Sequence, residues 1–404
     1  MINNSLNEKR LLSFHSSVVK DVNEQLVLRL IQEYGIISSS ELVRISGMRP
    51  STIFNILKTL SARSLISLHG KGQSTQKGGK RPFVWTLNKG AAYTVGLDIE
   101  VGEMTLVVLD FSGVIVAKKI IKLETARTAD VLTGHIINVV NDIIAENEIE
   151  QNKVLGLGIA FAGIVDTENG IVAMSSVLPE MNLPLIEKLG RLPFPVLIEN
   201  NANAAAIAWK WKRSSKSMKN YLSVLLEIDK NVSGLGIGII INGELYRGAS
   251  FCAGELYPHL PNLGDLLSAF RSRFHESEIL REHITSFESM DMEFLLDAAK
   301  KGDKIARLIF ARIGRLVGQT IAPAVALLNP DTLVITGVVS ELEDVIIEAI
   351  RNEIEMGVIP LTNNALSIIS DEHHQYAVAF GVASLILENF FRVPNIQVER
   401  SSEV

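Results

Sequence analysis

The stretch that most limits how this chain can fold is residues 197–206, Leu-Ile-Glu-Asn-Asn-Ala-Asn-Ala-Ala-Ala. An apolar run over 195–198 feeds the polar triplet Glu199-Asn200-Asn201, and a strongly helix-forming run over 202–212 follows. The pattern predicts a strand that delivers a carboxylate and two amides at its C-terminal end, with a helix leaving behind them. Open α/β sheets place ligands at such strand ends. The fold class expected from it is α/β, with 195–198 as a strand beside a cleft.

The surrounding sequence repeats the strand–helix alternation. Residues 93–99, 104–110 and 114–119 read as strands, 128–147 as a helix, 154–160 as a strand, and 161–166 as a loop. A second half opens with strands 221–228 and 233–241. Asn242-Gly243 then marks a tight hairpin turn and 244–247 returns from it. Helices over 292–300 and 303–328, a strand over 332–336 and a helix over 377–391 complete it. His373 and His374 are read as surface residues. With 404 residues, 47% hydrophobic and 21% charged, the chain has material for two or three domains and is not a disordered one. Its single cysteine, Cys252, excludes a disulfide framework and a Cys-rich zinc site. The first 20 residues lack an apolar signal core, and no uninterrupted apolar run approaches the ~20 residues of a membrane helix. A soluble cytoplasmic protein is expected, with no membrane partner.

Charge divides the chain more sharply than hydropathy does. The net charge is −6, yet residues 1–90 hold 13 Lys and Arg against 5 acids, a net of +8 that leaves −14 for the rest. A basic head on an acidic body is the footprint of a protein that meets a polyanion through the head alone. Within the head, apolar residues from Val22 to Tyr34 recur at helical spacing and Gly35 ends the run. Ser38 and Glu41 have capping-box spacing before a short helix that stops at Gly47. Pro50 then opens a third helix with the stripe Ile53, Ile56, Leu57 and Leu60. Helix, short helix, turn and helix is the helix-turn-helix pattern, whose last helix enters the major groove by its N-terminal part. Arg49, Ser51, Thr52, Asn55 and Lys58 lie off the stripe and are the candidates for base and phosphate contacts. Two strands, 65–68 and 83–87, flank a Gly-rich basic segment; this hairpin reads as a wing whose Lys71, Lys77, Lys80 and Arg81 meet the DNA backbone or minor groove.

The head resembles the winged helix-turn-helix of bacterial sugar-responsive repressors, and residues 93–391 resemble the ROK family of repressors and sugar kinases. The motifs that carry the likeness are Val95-Gly96-Leu97-Asp98-Ile99, the segment 156–166, Glu199 to Ala205, Tyr246-Arg247-Gly248-Ala249 with Ala253-Gly254-Glu255, and Asn329-Pro330-Asp331 with Thr336-Gly337. The resemblance implies a two-lobed, actin-like, sugar-kinase body behind a winged helix-turn-helix domain at 1–89. The lobes would divide as 90–204, closed by the C-terminal helix 377–391, and 205–376, which would carry the dimer contact. It also implies a sugar pocket containing Gly163, Asn200, Asn201, Glu255 and His259.

The kinase chemistry of such a family is interrupted in three places. Glu100-Val101-Gly102 replaces the Gly-Gly-Thr expected after Asp98-Ile99, so a carboxylate and a branched side chain stand where backbone amides would approach ATP phosphates. Asn201 occupies the position of the aspartate base, and an amide cannot take the sugar's hydroxyl proton. Thr336-Gly337-Val338 lacks the second glycine of the adenine-side turn. The family's zinc motif is also missing, because His259 comes one position late and no cysteines follow it. No catalytic residue, metal or cofactor is therefore expected. The function expected is a DNA-binding regulator, a repressor of sugar-utilisation genes acting on double-stranded operator DNA as a homodimer or dimer of dimers, with a sugar or sugar derivative as effector. Two alternatives stand beside it: an ATP-dependent sugar kinase with a regulatory DNA-binding head, and a DNA-binding protein that ignores sugars. Asn200 and Asn201 also have a plainer reading as caps of the helix behind them.

Overall fold

The computed structural model describes residues 21–72, 82–123, 128–212, 219–228, 233–256, 260–283, 286, 289–337 and 341–393. The head begins with α1 over 21–34, followed by β1 (Ile36–Ser38), α2 (Ser39–Ser46) and α3 (Pro50–Ala62). Strands β2 (Ile66–Lys71) and β3 (Phe83–Leu87) complete it. Ser38 and Glu41 form the capping box at α2, and Gly47 ends that helix at φ 71°. Ile53, Ile56, Leu57 and Leu60 are the buried stripe of α3, as their spacing predicts. The strand β1, too short to register as a pattern, pairs antiparallel with β3, so the hairpin is the outer part of a three-stranded sheet ordered β1-β3-β2.

Behind the head stand two sheets of the same topology. The first contains β4 (Tyr93–Glu100), β5 (Glu103–Asp110), β6 (Ile115–Lys122), β7 (Val154–Phe161) and β10 (Val196–Asn200), ordered β10-β7-β4-β5-β6. A small pair, β8 (Gly163–Asp166) and β9 (Ile171–Ser175), projects from it, so 163–166 is a strand rather than the loop its sequence suggests. Helix α4 (Ala129–Glu146) covers one face and α5 (Leu185–Lys188) is a single turn before β10. After α6 (Asn201–Lys212) the second sheet follows: β11 (Tyr221–Ile228), β12 (Ser233–Ile241), β13 (Glu244–Leu245), β14 (Thr332–Thr336) and β15 (Ser367–Ser370), ordered β13-β12-β11-β14-β15. In each, three consecutive strands pair antiparallel and two more join in parallel through helical crossovers. The Asn242-Gly243 turn has φ of 54° and 80°, the left-handed pair a two-residue hairpin needs.

Helices α7 (Leu263–Phe270), α8 (Met292–Lys300), α9 (Lys304–Leu328), α10 (Glu343–Gly357) and α11 (Pro360–Ala365) surround the second sheet. By length and composition alone α9 could cross a bilayer. Here it is a core helix, burying Ile309, Phe310, Val317 and Ile321 in one cluster with Ile346 and Ile350 of α10.

The final helix, α12 (Ala377–Phe391), packs against α6 and against β4, β5 and β7. Small residues allow this: a Cβ on Gly381 would lie 1.8 Å from the Ala204 carbonyl oxygen. Another face of α12 joins the head. Phe380, Leu387 and Phe391 share a buried cluster with Val27, Leu28 and Ile31 of α1, and Gln25 donates a hydrogen bond to the Phe390 carbonyl. Full burial of each such side chain contributes about 1.5–3 kcal/mol, so head and body are welded rather than tethered. His373 differs from its surface expectation. It sits in a turn, half-buried, its ring stacked 4.2 Å from Phe380 and 3.1 Å from the Asp371 carboxylate.

Candidate functional site

The C-terminal ends of β4, β10 and β11 converge, and each brings a carboxylate: Asp98 with Glu100, Glu199, and Glu227. Glu199 is almost fully buried and fully engaged. Its Oε2 accepts from Arg247 Nε at 3.0 Å and Nη2 at 2.6 Å. Its Oε1 accepts from the Asn203 side chain and the Asn200 backbone, both at 3.0 Å. Arg247 is partly exposed, but removing it would leave the Glu199 charge in a dry site.

Asn200 braces the two lobes. Its Nδ2 donates to the Gly163 carbonyl and to Glu255 Oε1, each at 2.8 Å, and its Oδ1 accepts from the Asn203 backbone at 3.0 Å. It thus caps α6 and spans the cleft at once, with one acceptor lone pair left over. Gly163 has φ 136°, and a Cβ there would meet the Met174 carbonyl at 2.2 Å, so the glycine is required by the β8–β9 pair.

Asn201 donates from Nδ2 to Glu227 Oε1 at 2.7 Å, and its Oδ1 accepts from the Ala202 backbone at 2.9 Å. Glu227 escapes a sequence reading because it is the penultimate residue of a largely apolar strand. Its position at the strand end, opposite the polar triplet, is the signal that marks it. Burial, with Glu255 nearby, raises the Glu227 carboxyl above the usual range, against the pull of the Asn201 hydrogen bond. Burial likewise raises Glu255, opposed by Asn200. Asp98 is the extreme case: buried beside Glu100, Glu227 and Glu103, its carboxyl is held well above the ordinary value, and its Oδ1 has no hydrogen-bond partner. The β4–β5 turn is therefore an acidic corner, with Glu100 directly opposite Glu103 in the ladder.

No group of three or more His, Cys, Asp or Glu is arranged to hold a metal among the described residues. Cys252 is the chain's one cysteine, so a cysteine-rich zinc set does not fit this loop. His259, Lys77, Lys80, Arg81 and Val338 lie outside the described residues. In the head, Arg49, Ser51, Asn55 and Lys58 are exposed on α3 and its N-cap, and Thr52 is half-buried. Lys71 ends β2 opposite Phe83.

The profile of the ROK family matches residues 94–261 and 269–389. The chain belongs to the ROK family. A xylose repressor of Bacillus spizizenii is 26% identical over 385 residues, spanning 93% of this chain and 97% of that one. The N-acetylglucosamine repressor of Escherichia coli O157:H7 is 25% identical over 391 residues, spanning 92% and 94%. These full-length relatives are named as repressors. Among solved structures, a ROK family transcriptional regulator described as a homolog of the E. coli MLC protein superposes with a TM-score of 0.72 at 21% identity, over 93% of this chain and 97% of that one. A ROK family glucokinase from Streptomyces griseus, in complex with glucose and AMPPNP, superposes with a TM-score of 0.61 at 23% identity. The match covers 99% of the glucokinase but 73% of this chain. The two-lobed body is thus common ground between repressors and kinases of the family, and the head is what the regulator comparison adds.

Proposed function

We propose that the protein is a DNA-binding transcriptional regulator of sugar-utilisation genes, working in the bacterial cytoplasm, whose cleft binds a sugar and no longer transfers phosphate. The observation that carries this reading is the Asn201–Glu227 pair. The residue in the position of the family's base is an amide held at 2.7 Å by a carboxylate that would repel a transferring phosphoryl group. Glu100, opposite Glu103 at the β4–β5 turn, puts a carboxyl group where nucleotide phosphates would approach. In this reading Gly163, Asn200, Asn201 and Glu255 offer hydrogen bonds to sugar hydroxyls, with His259, four residues after Glu255 in the sequence, as a further candidate.

Residues 1–89 serve as the DNA-binding unit, 90–204 and 205–376 as the two lobes, with α12 returning to the first. Ligand in the cleft would bias lobe closure, and α12, packed along α6 and sharing a buried cluster with α1, would carry the change to the head. Arg49, Ser51, Thr52, Asn55, Lys58 and the wing's Lys71, Lys77, Lys80 and Arg81 are the DNA contacts. Two heads are needed for a palindromic operator, and the exposed apolar side chains Leu327, Met356, Ile359 and Leu361 suit a contact between two copies. Titration calorimetry with a panel of aldoses and amino sugars, beside a coupled ATP-turnover assay on the same panel, tests the cleft. The expected result is sugar binding that Glu255→Ala weakens, with no ATP consumed. Turnover on any sugar would instead support a kinase carrying a regulatory head.

A further inference from the structure

Three apolar side chains of the head stand open to solvent on one side: Phe54 of α3 is 68% exposed, Leu68 of β2 52% and Phe83 of β3 43%. With Pro50, Lys58 and Trp85 they line a groove of about 850 Å³ between α3 and the hairpin. Phe54 is the most exposed of the three. It lies one turn inside the N-terminus of α3, three residues after Ser51 and four before Lys58, so the three form a contiguous patch. Asn55 adjoins them. Helix α3 contains no acidic residue, and residues 1–90 carry a net charge of +8. Among the described residues Lys58 is the one charged residue lining the groove, so with the basic head around it this face suits a polyanion that also offers an apolar group to a phenyl ring. Duplex DNA does both: the major groove's apolar feature is the C5-methyl of thymine, which Phe can contact.

Resting on the DNA-binding reading above, we propose that Phe54 is a base-reading residue that packs on thymine methyl groups in the operator's major groove. Ser51, Asn55 and Lys58 then flank it with polar contacts to base edges and phosphates. The operator half-site holds at least one thymine whose methyl group sets affinity.

Duplexes enriched by the full-length protein from a random library provide the test. Each thymine is replaced in turn by deoxyuridine, which removes the methyl and nothing else. The unaltered protein should lose about four- to tenfold in affinity at one or two thymines, the scale of one or so buried methyl groups. Phe54→Ala should bind the parent duplex weakly by a similar factor and be indifferent to those same replacements. Phe54→Leu, which keeps an apolar side chain, should retain part of the discrimination; it serves as the comparison if the alanine variant folds poorly. The slope of affinity against salt should be unchanged in Phe54→Ala and fall by about one in Lys58→Ala. If no thymine is sensitive, or if Phe54→Ala and Phe54→Leu keep the full sensitivity, Phe54 does not read methyl groups. If no duplex is enriched at all, the DNA-binding reading fails with it.

Discussion

On the reading proposed above, Asn201→Asp would supply the carboxylate of a family kinase's base, and the expected result is still no phosphate transfer. The amide donates to Glu227 at 2.7 Å, so the variant would set two carboxylates at that separation. Both ionised, they would repel by about 6 kcal/mol at an effective dielectric near 20. Protonating one at pH 7, from an ordinary value near 4.3, costs about 3–4 kcal/mol. The smaller figure prevails, and the pair shares a proton. Burial already pushes Glu227 in that direction. The folded variant then binds a proton that the unfolded chain releases above about pH 4–5, so its stability falls as pH rises through that range toward the pair's own titration. Denaturant unfolding should show Asn201→Asp about 3 kcal/mol less stable than the parent at pH 7 and within about 1 kcal/mol at pH 5. Combining Asn201→Asp with Glu227→Gln should regain most of the loss, since the amide introduced on β11 could donate to the new carboxylate on α6. A single variant as stable as its parent at pH 7, or equally weakened at both pH values, would refute the reasoning.

Other consequences are more local. Gly381→Ala would drive a Cβ to 1.8 Å from the Ala204 carbonyl oxygen and should cost more than about 3 kcal/mol in unfolding free energy, whereas Gly134→Ala, with nothing within 4 Å in the middle of α4, should gain roughly 0.5–1 kcal/mol. Arg247→Ala leaves buried Glu199 without its cation and should lose about 3 kcal/mol by the same measurement, with Arg247→Lys recovering part. Ser38→Ala removes the capping-box hydroxyl of α2 and should cost about 1 kcal/mol. Hydrogen bonds from Ser38 lower the Glu41 carboxyl, so the cap's contribution is present above the unfolded value and is lost as pH falls through the folded one. A pH titration of helical content in the Ser38→Ala variant should show a smaller step at higher pH, since the backbone amide of residue 38 still donates to the Glu41 carboxylate at 3.0 Å.

Much of this was legible in the sequence because local rules sufficed. Ser38, Glu41 and Gly47 bound a helix by capping chemistry alone, and the stripe Ile53, Ile56, Leu57 and Leu60 fixed the buried face of α3. The polar triplet at 199–201 marked a strand end, and its plainer reading as a helix cap holds for Asn200, whose Oδ1 accepts from the Asn203 backbone. What escaped depends on partners distant in the chain. β1 is three residues long and exists through its pairing with β3. The 163–166 strand forms because β9 returns beside it. Glu227 and Arg247 acquire meaning through Asn201 and Glu199, which lie 26 and 48 residues away. His373 is the local exception: its stacking partner Phe380 is seven residues on, and the fold of the intervening turn brings the two rings together.

On the proposed function, sugar in the cleft should alter the grip of the head on DNA. Fluorescence anisotropy of the full-length protein on an enriched duplex, titrated at fixed salt with and without each sugar that binds by calorimetry, tests it most directly. The account predicts that at least one sugar shifts the DNA dissociation constant by about fivefold or more, a coupling of about 1 kcal/mol, without ATP, and that Glu255→Ala abolishes the shift while leaving sugar-free DNA affinity intact. Sugar binding that leaves DNA affinity unchanged, or a shift that appears only when ATP is consumed, would contradict it.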